Sequence, residues 1–190
     1  MKTAPPTPPM TRTRDITAEQ LPYVSPPHKS TELVRGQLIV REPRGSRHGN
    51  LAAKVLVAIG IYLHTHPVGE LFAAETGFTL QREPDTVRAP DVAFIRNERL
   101  PNPIPVGYPE LAPDLVVEVL SPSDRAGMVL AKVGDWLDAG AALVWVIDPA
   151  RKTARVYCAD GSERLLDAAD TLSGEELLPG FELPLATLFD

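Results

Sequence analysis

The chain has 190 residues, 44% of them hydrophobic, with a formal net charge of −6 and a single cysteine, Cys158. That suits one globular domain with a real core, and with no run of about 18 apolar residues a helical membrane span is excluded. The negative balance argues against non-specific nucleic-acid binding but leaves room for a local basic groove, and a lone cysteine fits a reducing cytoplasm.

Met1 to Asp15 carries prolines at 5, 6, 8 and 9 and no apolar segment. It reads as a disordered tail rather than a secretory signal, with one domain over 16–190. Thr17-Ala18-Glu19-Gln20 has capping-box spacing and predicts a short helix stopped by Pro22. Glu32 to Val40 predicts a hairpin turning at Arg35-Gly36. Ser46 is a candidate N-cap for a helix from Arg47 to about His64, where Leu51, Val55, Ala58, Ile59 and Tyr62 recur at helical spacing. Short strands follow at 70–74, 77–80 and 90–95, with 81–88 read as a polar turn and the proline-rich 97–112 as a loop.

Pro113-Asp114-Leu115-Val116-Val117-Glu118-Val119-Leu120 then predicts a buried strand. Ser123 or Asp124 should cap a helix to about Ala139, ended by Gly140. Strands at 143–147, 153–158 and 162–166 and a docking segment at 183–189 complete the chain. Helix, hairpin, helix, strands, helix, strands is the order of an α/β domain with a mixed sheet flanked by helices.

The chemistry concentrates on the buried strand. Glu118 stands between two valines, where a carboxylate is costly without a cation or strong donor. Alternation puts Asp114, Val116 and Glu118 on one face. Asp91 follows Pro90 at the start of another strand. Two carboxylates from neighbouring strands are what a hydrated Mg²⁺ needs, and such an ion activates water against a phosphodiester. Lys132 is the candidate cation. From a helix start near Ser123 it lies about 13 Å back along the axis, against about 10 Å from Glu118 to the strand end.

These residues resemble a known family. Pro90-Asp91, the run from Pro113 to Ser123, the helical Lys132 and Ala142-Leu143-Val144-Trp145-Val146-Ile147-Asp148-Pro149 look like the Uma-type family of restriction endonucleases. That family belongs to the restriction-endonuclease-like superfamily with the PD-(D/E)xK signature. Glu32 to Leu38 and Pro43 to His48 are similar to its N-terminal pattern, and the resemblance spans about 17–189. It implies an endonuclease fold and a Mg²⁺- or Mn²⁺-dependent cleavage of DNA. Asp91, Glu118 and the backbone carbonyl of Val119 would be the metal ligands, and Asp91, Glu118 and Lys132 the catalytic residues. The chain departs from the signature at Leu120, where lysine is usual. The resemblance implies that Lys132, from the following helix, takes that lysine's place.

Other readings stand beside this one. Asp91 and Asp114 suit turns. Lys132 could snorkel to the surface. Glu32 could reach the site, though exposure on the hairpin is the expectation, and His48 is expected at the surface or as a cap. Arg41, Arg44 and Arg47 suit a solvated loop as well as phosphate. No serine-hydrolase elbow or glycine-rich phosphate loop is present. The alternative to a DNA endonuclease is a catalytically inactive nuclease-fold module that binds nucleic acid or protein. A hydrolase acting on another phosphodiester or a small substrate through the same metal site is the third reading. A homodimer would suit cleavage of two strands.

Overall fold

The apolar run around Glu118 becomes the centre of a six-stranded sheet in the computed structural model, which describes residues 15–189. The tail expected over 1–15 lies, except for Asp15, outside them. In chain order the elements are α1 (Leu21–Val24), β1 (Ser30–Val34), β2 (Gln37–Arg41), α2 (Ser46–Thr65), β3 (Gly69–Ala73), β4 (Phe78–Gln81), β5 (Thr86–Arg88) and β6 (Val92–Arg96). Then come β7 (Leu115–Val119), α3 (Ala126–Asp138), β8 (Leu143–Asp148), β9 (Thr153–Cys158), β10 (Glu163–Leu166), β11 (Thr171–Ser173), β12 (Glu182–Pro184) and α4 (Ala186–Phe189).

The main sheet runs β10-β9-β8-β7-β6-β3. β7 and β8 are parallel and joined through α3, and the other pairings are antiparallel. Every residue of β7 is buried, as a central strand covered on both faces requires. One face, with Leu115, Val117, Trp145 and Ile147, meets Leu51, Val55 and Ile59 of α2 and the C-terminal Leu178, Phe181 and Leu188. The other, with Val116, Val144 and Val146, meets Val133 and Trp136 of α3. Gly69 lets β3 close on β6: a Cβ there would stand 2.2 Å from the carbonyl oxygen of Ile95.

The hairpin is part of a second sheet, β2-β1-β5-β4. Arg35 and Gly36 both have positive φ, 48° and 75°, as a two-residue turn matched to strand twist demands. The third strand of this sheet, β5, corrects the reading of 81–88 as a turn throughout. Only 82–85 turns, and Leu33 pairs with Val87. Three other boundaries move. Gly45, not Ser46, is the N-cap of α2. Pro22 does not stop α1 but sits in its first turn, where its missing N–H costs nothing. Arg125, not Ser123 or Asp124, is the N-cap of α3. The Asp124 carboxylate instead accepts from the Ser121 amide at 2.9 Å and holds the β7–α3 loop.

Candidate active site

Because α3 runs back along β7, its buried stripe faces the strand. Val129, Lys132, Val133 and Trp136 recur at helical spacing on that stripe, which carries Lys132 inward to 8% exposure. Its Nζ donates to Glu118 Oε2 at 2.9 Å and to the Ala89 carbonyl at 2.8 Å. The indole N–H of Trp136 donates to Glu118 Oε1 at 3.0 Å. The snorkelling alternative for Lys132 is therefore excluded.

Glu32 is the residue that sequence reasoning misplaced. It is 4% exposed, not on an open hairpin, and its Oε1 stands 2.8 Å from Lys132 Nζ. Arg88 Nη1 donates to Glu32 Oε2 at 2.8 Å, and Arg88 Nε and Nη2 grip Asp135 of α3. The three donors of the Lys132 ammonium thus have three acceptors. The buried chain Asp135–Arg88–Glu32–Lys132–Glu118–Trp136 ties the small sheet to the large one.

Asp91 lies just before β6. Its amide donates to the Val117 carbonyl at 3.0 Å, and its Oδ2 accepts from the Val119 amide at 2.7 Å. It is thereby pinned to β7 one residue from Glu118. Val119 joins the site through its N–H. His48 continues the α2 stripe of Leu51, Ala52, Val55 and Ile59 and is buried. Its Nε2 is 3.1 Å from Asp91 Oδ2 but is buried without a hydrogen bond. That same stripe, extended one turn back, is the sequence signal that marks His48 as inward-facing.

Burial pushes the Glu118 carboxyl up; Lys132 opposes this, but the charges of Asp91 and Glu32 add to it, and the group reaches about 7. Burial also disfavours the Glu32 charge, yet Lys132 and Arg88 outweigh it and hold Glu32 near 2. Lys132 is buried too, but Glu118 and Glu32 keep it protonated and raise it. The site carries more carboxylate than its cations balance.

The two expected metal ligands open on different depressions. Asp91 and His48 line a cavity of about 490 Å³ with Lys29, Arg44 and small alanines. Glu118, Val119 and Lys132 line a cleft of about 20 Å³ with Arg41, Arg44 and Asp124. Arg44 lines both.

Among curated proteins no match was found. Among solved structures, the chain is similar to the crystal structure of "a putative nuclease belonging to DUF820" from Anabaena variabilis. The TM-score is 0.79 at 21% identity, covering 92% of this chain and 97% of that one. At that identity the likeness is one of fold, and it matches the sheet-and-helix arrangement described above. The model of the Uma2 family, described as "Putative restriction endonuclease", matches residues 17–186. With nearly the whole described chain inside that match, this protein belongs to the Uma2 family.

Proposed function

We propose that the protein is a metal-dependent endonuclease that hydrolyses DNA phosphodiester bonds. Its family supports nuclease action. The observation that carries the site is the meeting of Lys132 with Glu118 on β7, beside Asp91 at the entry of the neighbouring strand.

The residues present fit a hard divalent ion, Mg²⁺ or Mn²⁺, in kind. Asp91 Oδ1 carries no hydrogen bond among the described residues, and the carboxylate surplus around Glu118 is what a cation would relieve. Among the described residues no group of three or more His, Cys, Asp or Glu could hold a metal. An ion here would rest on two carboxylates, Asp91 and Glu118, with the Val119 carbonyl, waters and phosphate oxygens completing its shell, the usual way Mg²⁺ is held. Bound there, it would supply Lewis acidity and a nucleophilic water at neutral pH.

Lys132 would orient that water by exchanging one of its three acceptors. Its charge would offset the charge that builds on the phosphate. Glu32 and Arg88 keep the ammonium in place. A cytoplasmic homodimer would allow both strands to be cut.

Supercoiled plasmid incubated with Mg²⁺ or Mn²⁺ tests this reading. The wild type should nick it, and Glu118→Gln and Lys132→Ala should each lose about 100-fold or more in rate. Normal cleavage by both folded variants would overturn the assignment. The second reading is a non-catalytic module that binds nucleic acid or protein. The saturated donors of Lys132 and the separate depressions of Asp91 and Glu118 favour it. DNA binding without metal-dependent turnover would decide for it.

A further inference from the structure

We infer that Arg44, with Arg41 beside it, is the seat of a DNA backbone phosphate, and that Asp124 occupies this seat in the free protein as an internal competitor. The inference deepens the nuclease reading and rests on its choice of DNA as substrate.

Arg44 lies in the connection between β2 and α2 and is 26% exposed. It lines the Asp91 cavity, the Glu118–Lys132 cleft and a third depression of about 420 Å³ between residues 40–45 and 121–124. A phosphate on Arg44 would therefore stand where all three meet. All the bonds of Arg44 converge on Nη1: Ser121 Oγ at 2.6 Å and the Asp124 oxygens at 3.1 and 3.2 Å. Nε and Nη2 carry none among the described residues.

Arg41 is served still less well. Its Nη1 is 3.4 Å from Asp124 Oδ1, its Nη2 is 3.6 Å from Glu32 Oε2, and its Nε is buried without a partner. A guanidinium binds most strongly through two parallel N–H groups on one anion. Neither arginine uses that mode here, and both lean on the same Asp124. The start of α2 adds donors alongside: Gly45 is its N-cap, with no side-chain cap and no acid in the first turn. Arg47, by contrast, donates to the Pro149 carbonyl at 2.6 Å and is a strut.

A phosphodiester offers the oxygens that these forks lack. To set its end-on fork, Nη1 with Nη2, on one phosphate Arg44 must release Asp124, and while Asp124 stays its charge repels a phosphate on the free Nε–Nη2 edge, so the carboxylate should weaken DNA binding rather than support it. A merely structural ion pair predicts the opposite sign on its removal.

Anisotropy of a short fluorescein-labelled DNA duplex, in EDTA and over a salt series, reads this directly. Arg44→Ala should raise Kd about tenfold and reduce the salt slope by about one. Asp124→Asn should lower Kd by about threefold or more, while its amide oxygen still accepts from Ser121. Circular dichroism checks folding, and if Arg44→Ala does not fold, Asp124→Asn alone decides. Unchanged binding in folded Arg44→Ala, weaker binding in Asp124→Asn, or no DNA binding by the wild type would each overturn the inference. EDTA separates it from hydrolysis. A protein that cuts DNA but binds it independently of Arg44 refutes only this seat. One that binds through Arg44 and never cuts refutes only the nuclease.

Discussion

The buried run around β7 carries an acid towards each end of the same face, and the two are treated in opposite ways. Asp114, 1% exposed, accepts from the Arg96 amide at 3.0 Å, from Arg96 Nε at 3.0 Å and from Arg99 Nη1 at 2.8 Å. Burial disfavours its charge, but the Arg96 amide and Arg99 more than compensate, and its pKa falls. Glu118, 9% exposed, shares its one cation, Lys132, with Glu32 and faces Asp91, so burial wins and its pKa rises. One end is balanced by donors and holds the Arg96–Arg99 segment to the sheet. The other holds surplus negative charge in a hollow between two sheets, a state that favours admission of a cation. Both ends carry a buried carboxylate; the charge count around each acid separates structure from chemistry.

Lys132→Ala is the harshest way to break this contrast. It strips the cation from two buried carboxylates and should cost about 3–5 kcal/mol, measured as a fall in urea midpoint, together with loss of cleavage. Asp114→Asn should cost about 2 kcal/mol by the same measure, yet leave the rate of DNA cleavage unchanged. Loss of cleavage in a folded Asp114→Asn protein would dissolve the distinction between the two ends.

The pH dependence of stability sharpens it further. Glu118 binds its proton more tightly in the folded state, so its term declines as pH rises from about 4.5 to about 7. Asp114 binds its proton less tightly when folded, so its term is present above its ordinary 3.8 and is lost as pH falls below it. Urea midpoints across pH should show Glu118→Gln removing the decline toward neutrality and Asp114→Asn removing part of the acid limb. Trp136→Phe should have the smallest effect, about 1–2 kcal/mol, because it deletes one donor to Glu118 and part of a buried ring system but keeps an aromatic ring in the core. A change in urea midpoint much larger than this would mean that Trp136 matters more as core than as a donor.

Sequence reasoning reached furthest where the pattern was local. The apolar run of β7, the helical return of Lys132 and the Arg35-Gly36 turn all follow from periodicity and turn chemistry. Glu32 was illegible because a two-stranded hairpin alone has an open face. Only pairing with β5 and the approach of Lys132, 100 residues away in the chain, bury it. β5 itself is three residues long behind Pro84 and Asp85, too short for alternation to register. Asp114 looked like a turn acid because its arginines lie at the far end of β6 and in the proline-rich loop after it, where no periodicity points them at the acid. His48 was within reach: it occupies the apolar stripe of α2, and a polar residue on such a stripe points inward.

The account turns on Asp91 and Glu118 holding a divalent ion. Calorimetric titration of Mn²⁺ into the wild type and into Glu118→Gln, with folding checked by circular dichroism, tests that most directly. The account predicts binding by the wild type that disappears in the folded variant. Binding of equal strength by both proteins, or by neither even with DNA present, would contradict it.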